Sequence, residues 1–111
     1  MEAALKAIAA PRRREILRLV WDAERSAGDI ASHFDVSRPA ISQHLTVLRT
    51  AGLVTERRDG ARRLYRADQD ALADLQADLQ AFWTGSLAAL KDEVEAEEGR
   101  RRGRGYAHRQ R

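Results

Sequence analysis

The chain reads as a mainly α-helical domain that carries one small β-hairpin. Three stretches decide this. Residues 26 to 49 hold two short amphipathic helices joined by a tight polar turn. Residues 53 to 67 hold two strand-like runs around an Asp-Gly pair. Residues 70 to 97 repeat apolar side chains at three- and four-residue spacing over about seven turns. About five helices and a two-stranded hairpin fit the 111 residues, which is enough chain for one domain with one modest core.

Taken in order, residues 2 to 9 form a short Ala-rich helix with Leu5 and Ile8 on one face beside Ala4. Pro11 stops it or starts the next helix, expected over 12 to 24, whose apolar side is Ile16, Leu17, Val20 and Trp21. Arg12, Arg13, Arg14 and Arg18 stay exposed on it. A solvated face explains Arg18, while Arg12 or Arg13 near the helix start is also placed for a phosphate. The first helix of the central pair is expected over 27 to 34, with Ser26 as N-cap and Ala27, Ile30, Ala31 and Phe34 facing inward. Asp35-Val36-Ser37 breaks that pattern. Asp35 stands in the turn, and Asp is a residue that tolerates the left-handed conformation.

Ser37 is placed to cap the second helix, because its hydroxyl can accept an orphan N–H of the first turn. Pro39 falls inside that turn, where a missing N–H costs little. Ile41, Leu45 and Leu48 then form one buried stripe. The opposite face carries Arg38, Ser42, Gln43, Thr46 and Arg49, five hydrogen-bonding side chains of which none is acidic. Gly52 suits the left-handed residue beyond a helix end. The strands follow over 53 to 58 and 62 to 67, with Val54, Leu64 and Tyr65 for apolar contact. Arg57, Arg58, Arg62 and Arg63 crowd the hairpin tip, where they repel one another unless something anionic is near.

The long helix takes Asp70 as its cap. Its stripe is Leu72, Leu75, Leu79, Phe82 or Trp83, Leu87, Leu90 and Val94, and its other faces are acidic. Part of the stripe packs on its own core. The rest is too long for a small domain to cover, so pairing with a second copy is expected, through Leu5, Ile8, Leu75, Leu79, Phe82 and Trp83. Gly85 weakens this helix by roughly 1 kcal/mol relative to Ala. The folded domain is therefore expected over 1 to 97. Residues 98 to 111 are expected to be a disordered Arg-rich tail, serving either as a non-specific nucleic-acid tether or as a solvated end.

Charge sharpens the picture. Residues 12 to 66 hold twelve Arg against seven acidic side chains, residues 68 to 98 one Lys against nine acids, and residues 99 to 111 six Arg and no acid. A basic block centred on the helix pair is the footprint of a polyanion partner. With that footprint the helix pair reads as a helix-turn-helix and the hairpin as its wing, giving a winged helix-turn-helix whose second helix enters a major groove. Cysteine is absent, which excludes a disulfide framework, a thiol nucleophile and thiolate metal sites. No apolar run approaches membrane-spanning length and the first twenty residues lack a signal-peptide core, so a cytoplasmic protein with no membrane association is expected. No nucleophile–base pair and no phosphate-cradling Gly loop points to an enzyme.

In this order of elements the chain resembles the ArsR (SmtB/ArsR) family of bacterial winged-helix repressors. The resemblance rests on residues 5 to 17 (LKAIAAPRRREIL), 37 to 54 (SRPAISQHLTVLRTAGLV) and 57 to 66 (RRDGARRLYR), and covers roughly 3 to 95. It implies a homodimeric transcriptional repressor bound to double-stranded DNA at an inverted-repeat operator. It places DNA contacts on Ser37, Arg38, Ala40, Ser42, Gln43 and His44 and on the wing residues Arg57, Arg58, Arg62 and Arg63; the outward polar face adds Thr46. Chemistry agrees for several of them: Gln43 suits adenine, Arg38 guanine, and Ser42 either base or phosphate. His44 lies beside the apolar stripe, so a core or capping role competes with the phosphate contact that the family pattern favours.

The chain departs from metal-sensing relatives. The first helix of the pair has no Cys, the last helix has no His, and only His33, His44 and His108 exist. Transition metals prefer imidazole or thiolate ligands. The chain therefore looks closer to the metal-independent branch, with no cofactor and no metal expected. Two other readings stay open: a winged-helix module that binds a protein, and an architectural DNA binder without sequence preference.

Overall fold

The computed structural model describes residues 1–103. Its elements run α1 (Glu2–Ala9), α2 (Pro11–Leu19), β1 (Arg25–Ser26), α3 (Ala27–Ala31), α4 (Arg38–Thr50), β2 (Val54–Asp59), β3 (Arg62–Ala67) and α5 (Gln69–Gly103). The chain divides into two compact units, the first being Met1–Gln76 and the second beginning at Ala77.

In the first unit every helix contributes to one core. Ala7 comes from α1, Ile16 and Leu17 from α2, Ile30 from α3, and Ile41, Leu45 and Leu48 from α4; Val20, Leu53, Val54 and Ala67 close it. The three stripe residues of α4 are at most 1% exposed, as their spacing predicts. Each such aliphatic side chain contributes roughly 1.5–3 kcal/mol by leaving water.

Helix α2 ends at Leu19, not at residue 24 as expected. The physical reason is tertiary. Val20 caps the helix, and its carbonyl then accepts the Ala67 N–H at 2.8 Å, which draws the chain into the sheet. Trp21, expected on the apolar side, is 43% exposed. Arg25 and Ser26 pair antiparallel with Tyr65 and Leu64, so the expected two-stranded hairpin is a three-stranded sheet in the order β1-β3-β2.

Both predicted caps of the helix pair form. Ser26 Oγ accepts the Asp29 N–H at 3.1 Å and Ser37 Oγ the Ala40 N–H at 3.3 Å. Helix α3 is shorter than expected, and the turn after it needs no left-handed residue at Asp35, since no described non-glycine residue has positive φ. Gly52 (φ 80°) ends α4 with the Leu53 N–H on the Leu48 carbonyl and the Gly52 N–H on that of Arg49, a Schellman pair. Gly60 (φ 64°) and Ala61 form the two-residue hairpin loop, and Asp59 pairs with Arg62 as the last rung.

Helix α5 starts one turn-half earlier than Asp70 implies. Its cap is Asp68, whose Oδ1 accepts the Ala71 N–H at 3.0 Å, and Asp70 stands in the first turn. Leu72 packs on the core and Leu75 is 6% exposed. In the second unit the helix passes residue 97 and runs to Gly103. Glu97 pairs with Arg100 and Arg101 one turn on, which favours helix over the disorder expected there. The remainder of the expected tail, residues 104–111, lies outside the described residues. No described helix is long and apolar enough to cross a membrane.

Candidate nucleic-acid interface

Because Ile41, Leu45 and Leu48 anchor one side of α4, the other side is turned outward by helical period alone. Arg38, Ser42, Gln43, Thr46 and Arg49 are all exposed there. Val47, which the sequence reading left out, joins this face at 39% exposure and with Ser42, Gln43 and Thr46 lines a shallow depression. Its position four residues after Gln43 was the available signal. Thr46 Oγ1 donates to the Ser42 carbonyl at 3.0 Å, so it meets a partner as an acceptor.

A groove of about 540 Å³ separates this face from the wing. Arg38, Ser42 and Thr46 line one wall, and Ala61, Arg62, Arg63 and Tyr65 the other. Gly28 of α3 lies on its floor beneath the Arg38 guanidinium; a Cβ there would stand 3.7 Å from Arg38 Cζ. Three guanidiniums and the hydroxyl-bearing Ser42, Thr46 and Tyr65 thus line one concave strip, which suits a phosphodiester backbone.

The four wing arginines do not simply repel one another. Arg57 donates a fork to Glu24, Nε to Oε2 at 2.9 Å and Nη2 to Oε1 at 2.7 Å. That hydrogen bond holds the Glu24 carboxyl below its ordinary range and raises Arg57. Arg62 pairs with Asp59 at 3.3 Å and Arg63 with Glu56 at 3.2 Å. Only Arg58 of the four has no ion pair among the described residues. The strand pleat puts Arg58, Arg63 and Glu56 on one face of the hairpin and Arg57, Arg62 and Asp59 on the other.

His44 is half-buried and turned toward α2, where its Nδ1 lies 3.5 Å from Arg13 Nη1. Burial, then the charges of Arg13 and Arg12, push its pKa down. Its imidazole is therefore biased to the neutral form, which weakens it as a phosphate contact. Ser37 and Ala40 sit at the amino end of α4, joined by the cap. His33 Nδ1 lies 2.9 Å from the Asp29 carbonyl oxygen, far in sequence from His44. Among the described residues, no three His, Asp or Glu side chains gather as a metal-ligand set.

The expected pairing residues divide. Leu5 and Ile8 are half-buried and Leu75 is buried in the single chain. Leu79 is half-buried, and Phe82 and Trp83 are exposed in an edge-on pair with ring centroids 5.8 Å apart.

Residues 10–56, which contain α2, α3 and α4, match the model of the bacterial regulatory protein, arsR family. The chain is 42% identical over 94 residues to the HTH-type transcriptional regulator Rv2034 of Mycobacterium tuberculosis, covering 85% of this chain and 88% of that protein. The chain belongs to the ArsR family. Another relative is the transcriptional repressor SdpR of Bacillus subtilis, 40% identical over 74 residues, 67% of this chain and 82% of its own. A solution structure described as a homodimeric winged helix-turn-helix DNA-binding domain from Mycobacterium bovis, a possible ArsR-family regulator, superposes with a TM-score of 0.62 at 34% identity, over 73% of this chain and 75% of that one. Rv2034 and SdpR are by name transcription regulators, and this chain shares the winged helix-turn-helix architecture of the Mycobacterium bovis domain.

Proposed function

We propose that this ArsR-family chain is a cytoplasmic homodimeric repressor that occludes promoter DNA at an inverted-repeat operator, with no metal as its signal. The observation that carries the DNA reading is the single groove in which Arg38 and Ser42 of α4 face Arg62 and Arg63 of the wing. Helix α4 would lie in the major groove with its amino end leading. Arg38, Ser42 and Gln43 would read base edges, with Val47 offering an apolar contact to a thymine methyl. The wing would rest on the backbone, with Arg58 supplying the guanidinium that needs no exchange of partner. Ser37 and Ala40 present the helix amino end to a phosphate. Support for a metal-independent signal is the donor chemistry: the chain has no thiol, and His33 and His44 face different neighbours.

Pairing would use the exposed stripe of α5, Phe82, Trp83, Leu87, Leu90 and Val94, each at least half exposed. Leu5 and Ile8 of α1 are the other pairing candidates, while Leu75, already buried, adds little. The homodimeric neighbour and the repressor SdpR support the same reading.

Selection of bound duplexes from a random library tests it. The native protein should enrich a two-fold symmetric sequence with half-sites about one helical turn apart. Gln43→Ala should relax preference at one position per half-site. Arg58→Ala should weaken all duplexes and reduce the salt slope by about one. Enrichment of no sequence, or of an asymmetric one, would overturn the proposal.

A further inference from the structure

Glu56 is an acidic side chain inside a basic surface, and its placement is specific. It lies in β2 on the hairpin face it shares with Arg58 and Arg63. Its two carboxylate oxygens serve two elements. Oε1 faces Arg49 Nε, in the last turn of α4, at 3.6 Å, and Oε2 faces Arg63 Nη1, in β3, at 3.2 Å. The carboxylate is recessed, at 20% exposure, beneath guanidinium side chains that are 50% and 59% exposed. A phosphate approaching this surface meets the arginines before the carboxylate. The contrast with Glu24 is geometric: Arg57 holds Glu24 through two short hydrogen bonds, whereas the Glu56 pairs are longer and each uses one nitrogen. The first pairing is a fixed clasp and the second is open to exchange.

We propose that Glu56 is a positioning and specificity-determining residue, a recessed carboxylate that sets the wing against the recognition helix and competes with DNA phosphates for Arg49 and Arg63. The inference rests on the DNA-binding reading above. Without DNA the one carboxylate pairs with both guanidiniums, cancels one of their two positive charges, and offsets part of the repulsion between the directly opposed Arg58 and Arg63. On arbitrary DNA, gaining a phosphate at Arg63 means giving up Glu56, so little is gained. On the operator, where α4 and wing dock together, the phosphates are held in register by all other contacts and the exchange becomes favourable. The carboxylate thereby suppresses non-specific binding more than specific binding.

The test is a double-mutant cycle in binding, using Glu56→Gln, Arg63→Gln and both together, against a selected operator duplex and a scrambled duplex over a range of salt. Glu56→Gln should bind the scrambled duplex about five- to tenfold more tightly, with a salt slope steeper by about one. Operator affinity should rise less, so discrimination falls. Arg63→Gln should cost more affinity in the Glu56→Gln background than in the native one, because native Arg63 gives up a partner on binding. Equal costs in the two backgrounds would reduce Glu56 to a simple charge effect and overturn the proposal. So would parallel losses on both duplexes with an unchanged slope, or a Glu56→Gln chain that does not fold, since either makes the carboxylate a fold determinant. A native protein that fails to separate operator from scrambled duplex would instead defeat the DNA-regulator reading itself.

Discussion

Arg13 of α2 lies between two structural tasks: its Nε donates to the Ala7 carbonyl at 2.6 Å, and its Nη1 stands 3.5 Å from Nδ1 of His44 on α4. One guanidinium thus ties the end of α1 to the recognition helix. The imidazole it faces is half-buried and disfavoured as a cation, first by burial and then by Arg13 and Arg12. His44 is in this sense a packing residue on the inner edge of α4.

A pH prediction follows from the sign of that shift. The folded pKa of His44 lies below the ordinary 6.5, so the unfolded chain binds the proton more readily. The stability that neutral His44 contributes is present above pH 6.5 and is lost as pH falls from there through the folded value. His44→Gln should flatten this part of the stability-versus-pH curve, measured by denaturant melts between pH 5 and pH 8. It should leave the salt slope of DNA binding unchanged. A slope that fell by about one would identify His44 as a phosphate contact instead.

Glu24 shifts in the same direction, but here the favoured form is the charged one. Its carboxyl is held low, chiefly by the hydrogen bond from Arg57. Its contribution is present above the ordinary carboxylate range near 4.5 and is lost as pH falls through the lowered value. Glu24→Gln should remove this acid-side step and speed amide exchange in the hairpin, whose Arg57 would lose its clasp to the segment before β1. Both residues are solvated, so the effect on global melting should be small and the hairpin exchange is the sensitive readout. Unchanged hairpin exchange would show that the fork does not restrain the wing.

How much of this was legible in the sequence depends on how local each cause is. The stripe Ile41–Leu45–Leu48, the caps Ser26 and Ser37 and the glycines at 52 and 60 act within a few residues, and each has its expected place. Strand β1 does not: two residues, Arg25 and Ser26, carry no alternation and become a strand only because Tyr65 and Leu64 lie beside them. The early end of α2 has the same origin in the Val20–Ala67 hydrogen bond. The wing arginines were visible as a cluster, but their partners were not, since Glu24 is thirty-three residues from Arg57. The competing caps Asp68 and Asp70 lie two residues apart, and only the Ala71 N–H separates them.

The cap of the recognition helix separates folding from binding. Ser37→Ala removes the acceptor of the Ala40 N–H and should cost about 0.5–2 kcal/mol of stability. Ser37→Asp keeps an acceptor there and suits the positive end of the helix, so stability should be retained. The same carboxylate would face the phosphate expected at that end, so DNA affinity should fall steeply for Asp while Ala loses less. Equal DNA affinity for the Asp variant and the native protein would remove Ser37 from the interface.

Pairing is the prediction on which the operator geometry depends. Trp83, Leu87, Leu90 and Val94 follow at helical spacing in the second unit and are 50–57% exposed in the single chain. An apolar stripe of that kind stays in water only at a cost, and a second copy of the same helix offers a self-complementary cover. Leu87→Glu puts a good helix former with a charge at the stripe's centre and leaves the core of the first unit untouched. Sedimentation should therefore show a folded monomer where the native chain is a dimer. Because each half-site would then be bound alone, affinity for the full operator should drop by about 100-fold, toward the value for an isolated half-site duplex, to which native and variant chains bind alike. A Leu87→Glu chain that remains dimeric would move the interface off this stripe and leave Leu5 and Ile8 of α1 as the place to look.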